Sequence, residues 1–178
     1  MKNSSAPELT LITGGAGFIG TNLADRLLGE GRRVRIFDRL ARPGSKHNLE
    51  WLRQRHGERL QVIIDDIRDA PAVEAAVAGV TQVFHFAAQV AVTTSVDHPI
   101  DDFEVNARGT VNLLEALRKR GGSAPLVFTS TNKVYGHLDD VALEQRRERY
   151  APRDDDYSRG FSEQRALDFH SPYGCSKG

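Results

Sequence analysis

Thr13-Gly14-Gly15-Ala16-Gly17-Phe18-Ile19-Gly20 follows the apolar run Leu9-Thr10-Leu11-Ile12 and leads straight into a stretch with Leu23, Leu27 and Leu28 at helical spacing. A strand, a glycine-rich turn and a helix in that order hold both Gly14-x-x-Gly17-x-x-Gly20 and Gly15-x-Gly17-x-x-Gly20. Glycines there permit a tight turn and let backbone N–H groups approach a pyrophosphate, which then sits at the positive end of the following helix. A glycine cluster alone is often only a turn. Here, however, the second strand ends at Asp38, eighteen residues past Gly20, where an acid that accepts the ribose hydroxyls is expected. Asp38 repels a 2′-phosphate and the adjacent Arg39 and Arg42 soften that repulsion, a balance that predicts NAD in preference to NADP.

Outward from this turn, short apolar or β-branched runs alternate with helical patterns. The spacing predicts strands over Leu9–Thr13, Val34–Phe37, Leu60–Ile64, Val80–Phe86 and Pro125–Ser130. Between them lie crossover helices, the fourth carrying Val105, Val111, Leu114 and Leu117 at three- and four-residue spacing. Strand and helix in strict alternation imply a parallel sheet covered on both faces, a doubly wound α/β (Rossmann) fold. From Asp139 to Phe169 the chain turns charged, with few apolar anchors, and reads as a solvated surface excursion.

At 178 residues one well-cored domain is expected over residues 1–178. The 24 Lys and Arg balance 24 Asp and Glu, so no net field draws nucleic acid or an anionic membrane. The most apolar stretch, Val83 to Val92, is interrupted by His85 and Gln89 and is far shorter than a span of ~20 apolar residues. Cys175 stands alone and Met1–Ser5 lack the apolar run of a signal peptide, so a reducing cytoplasm is expected. His85 and His170 have no paired ligand at metal spacing, and no metal is expected.

The glycine turn, together with Asp65-Asp66-Ile67-Arg68-Asp69, His85-Phe86-Ala87-Ala88-Gln89, Asn106-Ala107-Arg108-Gly109-Thr110, Val134-Tyr135-Gly136 and Tyr173-Gly174-Cys175-Ser176-Lys177, resembles the extended short-chain dehydrogenase/reductase family. The resemblance spans nearly the whole chain. It implies that Gly14, Gly17, Phe18, Ile19 and Gly20 cradle the dinucleotide, with Asp38 and Arg39 at its ribose. It further implies that Asp66 and Ile67 flank the adenine, and that Ala87, Ala88 and Gln89 close over the pyrophosphate and ribose. Asp65 stands where that family usually has glycine, so the local backbone is expected to differ while Asp66 still binds. Three longer strings, Gln89–Ser95, Ser130–Gly136 and Leu167–Lys177, look more narrowly like the CDP-paratose (CDP-tyvelose) 2-epimerases.

Ser171-Pro172 reads as a helix start, with serine as N-cap and proline at the first helical position. Tyr173 and Lys177, four apart, then share one face, and a nearby ammonium favours the phenolate, which makes Tyr173 a base for proton transfer. Cys175 points to another face. The family pattern makes Thr131 the hydroxyl that orients the substrate alcohol, adds Thr94 and Asn132 as substrate contacts, and leaves Asn106 either bridging within its helix or serving near the nicotinamide. The implied reaction is 2-epimerisation of a CDP-dideoxyhexose through a transient keto sugar. Epimerisation of a UDP-sugar at C4 uses the same residues and stays open. A 4,6-dehydratase would have Thr-Asp-Glu where this chain has Thr131-Asn132-Lys133, and neither Asn132 nor Lys133 readily supplies the acid and base that elimination needs.

The chain ends at Gly178, whereas members of that family continue with the rest of the helix, a sixth strand and a smaller sugar-gripping domain. The resemblance therefore implies a parent epimerase that is commonly a homo-oligomer, and a chain that binds NAD but turns over poorly. A non-catalytic dinucleotide-binding module is the alternative.

Overall fold

β1 (Leu9–Thr13) is buried at all five residues, as a near-continuous apolar run requires in the middle of a parallel sheet covered on both faces. In the computed structural model, which describes residues 8–121 and 123–178, β1 lies between β2 (Arg33–Phe37) and β4 (Gln82–His85). β3 (Leu60–Ile63) and β5 (Leu126–Phe128) complete the order β3-β2-β1-β4-β5, and every pairing is parallel. The reading of Met1–Ser5 lies outside the described residues.

Successive β1 side chains point to opposite faces, and each face has its own core. Leu9 and Leu11 join Val73 of α3 (Ala70–Ala76) and Leu113 and Leu117 of α6 (Gly109–Lys119). Ile12 joins Val34, Ile36, Leu28 of α1 (Phe18–Gly29) and Leu52 of α2 (Ser45–His56). The fold is therefore the expected doubly wound α/β sheet. From β1 the chain builds outward to β2 and β3, then returns to the other side of β1 as β4. Thr13, Phe37 and His85 are in register at the carboxyl ends of these strands. Where strand order reverses, a crevice opens beyond those ends.

Three details differ from the sequence expectation. The fourth and fifth strands are shorter than Val80–Phe86 and Pro125–Ser130, because β5 pairs with β4 only from Leu126 to Phe128. Val111 and Leu114 face solvent, while Leu113, Ala116 and Leu117 are buried. α5 (Pro99–Phe103) joins α6 through a π turn, Glu104–Arg108, whose extra residue shifts the phase of the inward face. The excursion from Asp139 to Phe169 is largely exposed but contains an antiparallel pair, β6 (Leu143–Gln145) with β7 (Tyr150–Pro152). Between β4 and α5 lies α4 (Val92–Asp97), and α7 (Pro172–Lys177) closes the described chain.

Candidate functional site

The glycine turn is built by its own packing. Gly14 has φ +67°, and a Cβ there would lie 2.7 Å from the backbone of Phe86 and Ala87. A Cβ on Gly20 would run into the carbonyl of Gly14 and, at 2.6 Å, the Cα of Gly15. On Gly17 it would meet only the Gly14 oxygen, at 3.2 Å, so the turn itself asks less of this position than the cleft it faces. Gly17 is also the N-cap of α1 and offers no side-chain cap, which leaves first-turn N–H groups directed into the crevice. Phe18 and Ile19 stand 83% and 58% exposed at this helix end. An uncapped helix N-terminus with no side chain in front of it fits a pyrophosphate.

Asp38 is held rather than free. One carboxylate oxygen accepts from Ala16 N at 3.0 Å and the other from Leu40 N at 2.8 Å. Leu40 takes φ +56°, a left-handed conformation that costs a non-glycine residue about 1 kcal/mol. Asn48 of α2 donates to the Ala16 carbonyl at 2.9 Å, so both backbone polar groups of Ala16 are pinned. Each Asp38 oxygen keeps acceptor capacity for a ribose hydroxyl.

Beside it, Asp66 accepts from Arg68 Nη2 at 2.7 Å and from Arg39 Nη1 at 3.1 Å. Burial alone raises its carboxyl, but the hydrogen bonds from Arg68 and Arg39 outweigh that and hold it down at about 2. Arg39 is thus directed at Asp66. Asp65, in place of glycine, accepts from Asp66 N at 2.8 Å and fixes the local backbone. Ile67 is buried beneath Gly109, where a Cβ would come within 2.7 Å of it.

At the end of β4 a directional chain of hydrogen bonds fixes one histidine tautomer. Ala87 N donates to Thr13 Oγ1 at 3.2 Å, and Thr13 Oγ1 lies 2.6 Å from His85 Nδ1. Thr110 Oγ1 donates to the Asn106 carbonyl at 2.6 Å, so it must accept from His85 Nε2, 2.9 Å away. His85 is therefore the neutral Nε2–H form. Its burial, reinforced by the charge of Lys177, lowers it to about 4. Asn106 bridges within its helix, its Nδ2 donating to Asp102 Oδ1 at 3.3 Å. It also clasps Gln89: its Oδ1 accepts from Gln89 N at 2.9 Å and its Nδ2 donates to Gln89 O at 3.1 Å. Both contacts with Gln89 hold the loop Ala87–Gln89 in place.

Ser171 caps α7 as its sequence predicts, accepting from Gly174 N at 3.0 Å, with Pro172 at the first position. Tyr173 is 8% and Lys177 4% exposed, whereas Cys175 between them is exposed. Lys177 Nζ lies 4.1 Å from the centre of the Phe128 ring, and its backbone carbonyl accepts from Ser130 Oγ at 2.7 Å. Desolvation lowers its ammonium to about 8, with the carboxylate of Asp102 opposing that shift.

One cleft of about 510 Å³ brings these groups together. Along it lie Gly14, Gly17, Phe18, Ile19 and Gly20 of the turn, Asp38 with Arg39, Asp66 with Ile67, and Ala87, Ala88 and Gln89. Tyr173 and Lys177 close the far side. Thr131, Asn132 and Thr94 do not line this cleft. Thr131 follows the lining residues Thr129 and Ser130, and its hydroxyl accepts from Lys133 N at 3.2 Å. Asn132 is exposed beside it, and Thr94 is exposed on α4. His170 pairs with Asp168 at 2.7 Å, and among the described residues no three His, Cys, Asp or Glu side chains converge as metal ligands. Asp102 and Ser176 were not legible as site residues. Asp102 reads as half of an exposed acidic pair, and the only signal to the contrary is its place one turn before Asn106.

The family described as GDP-mannose 4,6 dehydratase matches residues 11–178. The CDP-paratose 2-epimerase of Salmonella typhi is 44% identical over 170 residues, which are 94% of this chain and 49% of that protein. The structure of Thermus thermophilus UDP-glucose 4-epimerase in complex with NAD superimposes with a TM-score of 0.71 at 35% identity, covering 95% of this chain and 47% of that one. The dTDP-glucose 4,6-dehydratase of Streptomyces venezuelae, with NAD bound, gives a TM-score of 0.75 at 29% identity, covering 95% and 48%. The chain spans about half the length of the curated relatives it matches first.

Proposed function

The chain belongs to the family described as GDP-mannose 4,6 dehydratase, and we propose that within it residues 1–178 form the NAD-binding domain of a nucleotide-sugar epimerase. The observation that carries this reading is the single cleft that joins the Asp38-braced glycine turn to Tyr173 and Lys177. Bound NAD supplies a reversible hydride acceptor there. The first-turn N–H groups of α1 bind the pyrophosphate past Gly14, Gly17 and Gly20, under Phe18 and Ile19. Asp38 accepts the adenosine ribose hydroxyls, Asp66, Ile67 and Arg39 border the adenine, and Ala87, Ala88 and Gln89 cover the pyrophosphate and second ribose. Arg39 is engaged by Asp66 and cannot at once receive a 2′-phosphate, which supports NAD over NADP.

Tyr173 would take the proton from a sugar hydroxyl as hydride leaves the same carbon for the bound dinucleotide, and would return it as that hydride comes back to the other face of the turned keto sugar. Lys177 supports the phenolate from one helical turn away, and Thr131 orients the alcohol, with Asn132 and Thr94 on the substrate side. The 44% identity to a CDP-paratose 2-epimerase supports C2 of a CDP-dideoxyhexose as the reacting centre. Likeness to UDP-glucose 4-epimerases supports C4 of a UDP-sugar as the second reading. Asn132 and Lys133 argue against dehydration despite the family's description, because neither is the carboxylate that elimination requires.

The outer faces of α4, α5 and α6 expose Val96, Ile100, Phe103, Val111 and Leu114, an apolar strip that suits a second copy of the chain. Among the described residues no helix is long and apolar enough to cross a membrane, and a cytoplasmic setting suits a nucleotide-sugar substrate. Turnover of CDP-paratose and UDP-glucose, with calorimetry against NAD, tests the assignment. Tyr173→Phe should bind NAD as before and lose turnover about 100- to 10,000-fold. A variant that still epimerises near the unsubstituted rate would overturn the role of Tyr173.

A further inference from the structure

Asp102 is a carboxylate at 1% exposure that none of the roles above employs. Its Oδ1 accepts from Gln89 Nε2 at 2.9 Å and from Asn106 Nδ2 at 3.3 Å, and its Oδ2 accepts from Ser176 Oγ at 2.5 Å. These donors come from three separate elements: the loop after β4, the π turn and α7. All three are uncharged, so they satisfy the oxygens without neutralising the buried charge.

The cation that feels this charge is Lys177, which lies over the Phe128 ring rather than in a direct ion pair. The other titratable groups around α7 offer no substitute. His85, from β4, is neutral and hydrogen-bonded at both ring nitrogens, and Tyr173 is the partner one turn earlier. Asp97 of α4 and Lys133 of the Asn132–Tyr135 turn are exposed, Asp101 of α5 is paired with Arg68 at 2.6 Å, and Glu104 and Arg108 of the π turn are paired with each other at 3.1 Å.

We infer that Asp102 is a positioning residue: through Ser176 and Gln89 it sets α7, and with it Lys177, against the cofactor-facing loop. The inference rests on Tyr173 and Lys177 being the proton-handling pair, but its test does not require turnover. The Ser176 bond runs from the residue next to Lys177, so a displacement of Asp102 is passed directly to the lysine backbone. The Gln89 bond does the same for the loop that covers the cofactor.

The experiment is a ¹³C-lysine NMR titration of the chain, with the Lys177 signal assigned by its loss in Lys177→Arg. The Lys177 signal should titrate near 8 in the unsubstituted chain. In Asp102→Asn its midpoint should fall, because the opposing charge is gone. Ser176→Ala keeps the charge, so its midpoint should hold while amide exchange at positions 176 and 177 accelerates severalfold. A Lys177 midpoint unchanged in a folded Asp102→Asn variant overturns the inference. If Asp102→Asn does not fold, Ser176→Ala decides: exchange as slow as in the unsubstituted chain overturns it. An inactive role for Tyr173 combined with a Lys177 that follows Asp102 would defeat the catalytic reading and leave this coupling standing.

Discussion

Asp38 and Ala16 lie 22 residues apart and are joined by a 3.0 Å hydrogen bond from the Ala16 amide to the Asp38 carboxylate. The end of β2 and the middle of the glycine turn therefore move as one piece. On the proposed placement the acid that meets the ribose also braces the turn beneath the pyrophosphate. Asp38→Ala should weaken NAD binding by about 10- to 100-fold, since charge-assisted hydrogen bonds are each lost at about 1.5–3 kcal/mol. Discrimination against NADP should narrow at the same time. Calorimetry with both dinucleotides measures the pair of effects, and a variant that binds NAD undiminished would refute the placement.

The glycines divide into those the fold needs and Gly17, which on the proposed reading the ligand needs. Gly20→Ala pushes a methyl group against the carbonyl of Gly14 and should cost about 2–3 kcal/mol of stability. Gly17→Ala meets only one oxygen at 3.2 Å and should melt within a few degrees of the unsubstituted chain, yet bind NAD much more weakly. Thermal unfolding and calorimetry on the two variants separate the cases. Equal losses of stability would contradict the division.

His85 makes the fold acid-sensitive in a defined window. Its ring is held at about 4 in the native chain against 6.5 when free. Below 6.5 the unfolded chain takes up a proton that the native chain refuses. The contribution is therefore complete above 6.5 and declines as pH falls toward 4, by about 3 kcal/mol at the limit. Asp66 acts lower, between 3.8 and about 2, with a smaller effect of about 1 kcal/mol after solvent screening. Urea unfolding at pH 7 and pH 4.5 should show the His85 loss, and His85→Leu should flatten the difference between those two values.

Ser171 has one task, the cap of α7. Ser171→Ala should loosen that helix by about 1 kcal/mol, visible as faster amide exchange at Gly174. NAD affinity should change little, because the dinucleotide cradle lies on other elements, while turnover should fall as Tyr173 loses its fixed position. A larger effect on NAD binding than on turnover would contradict this order.

Thr131→Val should reduce turnover less than Tyr173→Phe does. In the proposed reaction the threonine orients a hydroxyl, whereas the tyrosine moves its proton. Its hydroxyl also accepts from Lys133 N, so the variant needs a circular dichroism check that the Asn132–Tyr135 turn persists. Comparing kcat for the two variants on one substrate settles the ranking.

What was readable in the sequence was local. Gly14 to Gly20 with Asp38, and Ser171-Pro172 before Tyr173, each compress a turn, a cap and a strand end into a few neighbouring residues. The side of α6 that faces inward was not readable from Val111 and Leu114, because the π turn at Glu104–Arg108 rotates the helix and no residue type announces it. The pair β6 and β7 was missed because its strands are three residues each in a charged segment. Asp102 was missed for a different reason. Nothing near it in sequence distinguishes it from Asp101, and its burial depends on Gln89 and Ser176, which arrive from distant parts of the chain.

The bond between Arg39 and Asp66 links the ends of two neighbouring strands at the rim where the adenine would enter. On the proposed placement of the adenine an arriving base meets this ion pair first, so the rim works as a latch. Added salt weakens such an exposed latch. Association should then quicken with moderate ionic strength, opposite to the slowing expected when an anionic ligand is merely drawn to a basic surface. Stopped-flow binding of NAD to the chain and to Arg39→Ala, which has no latch to release, should differ in the sign of that salt response.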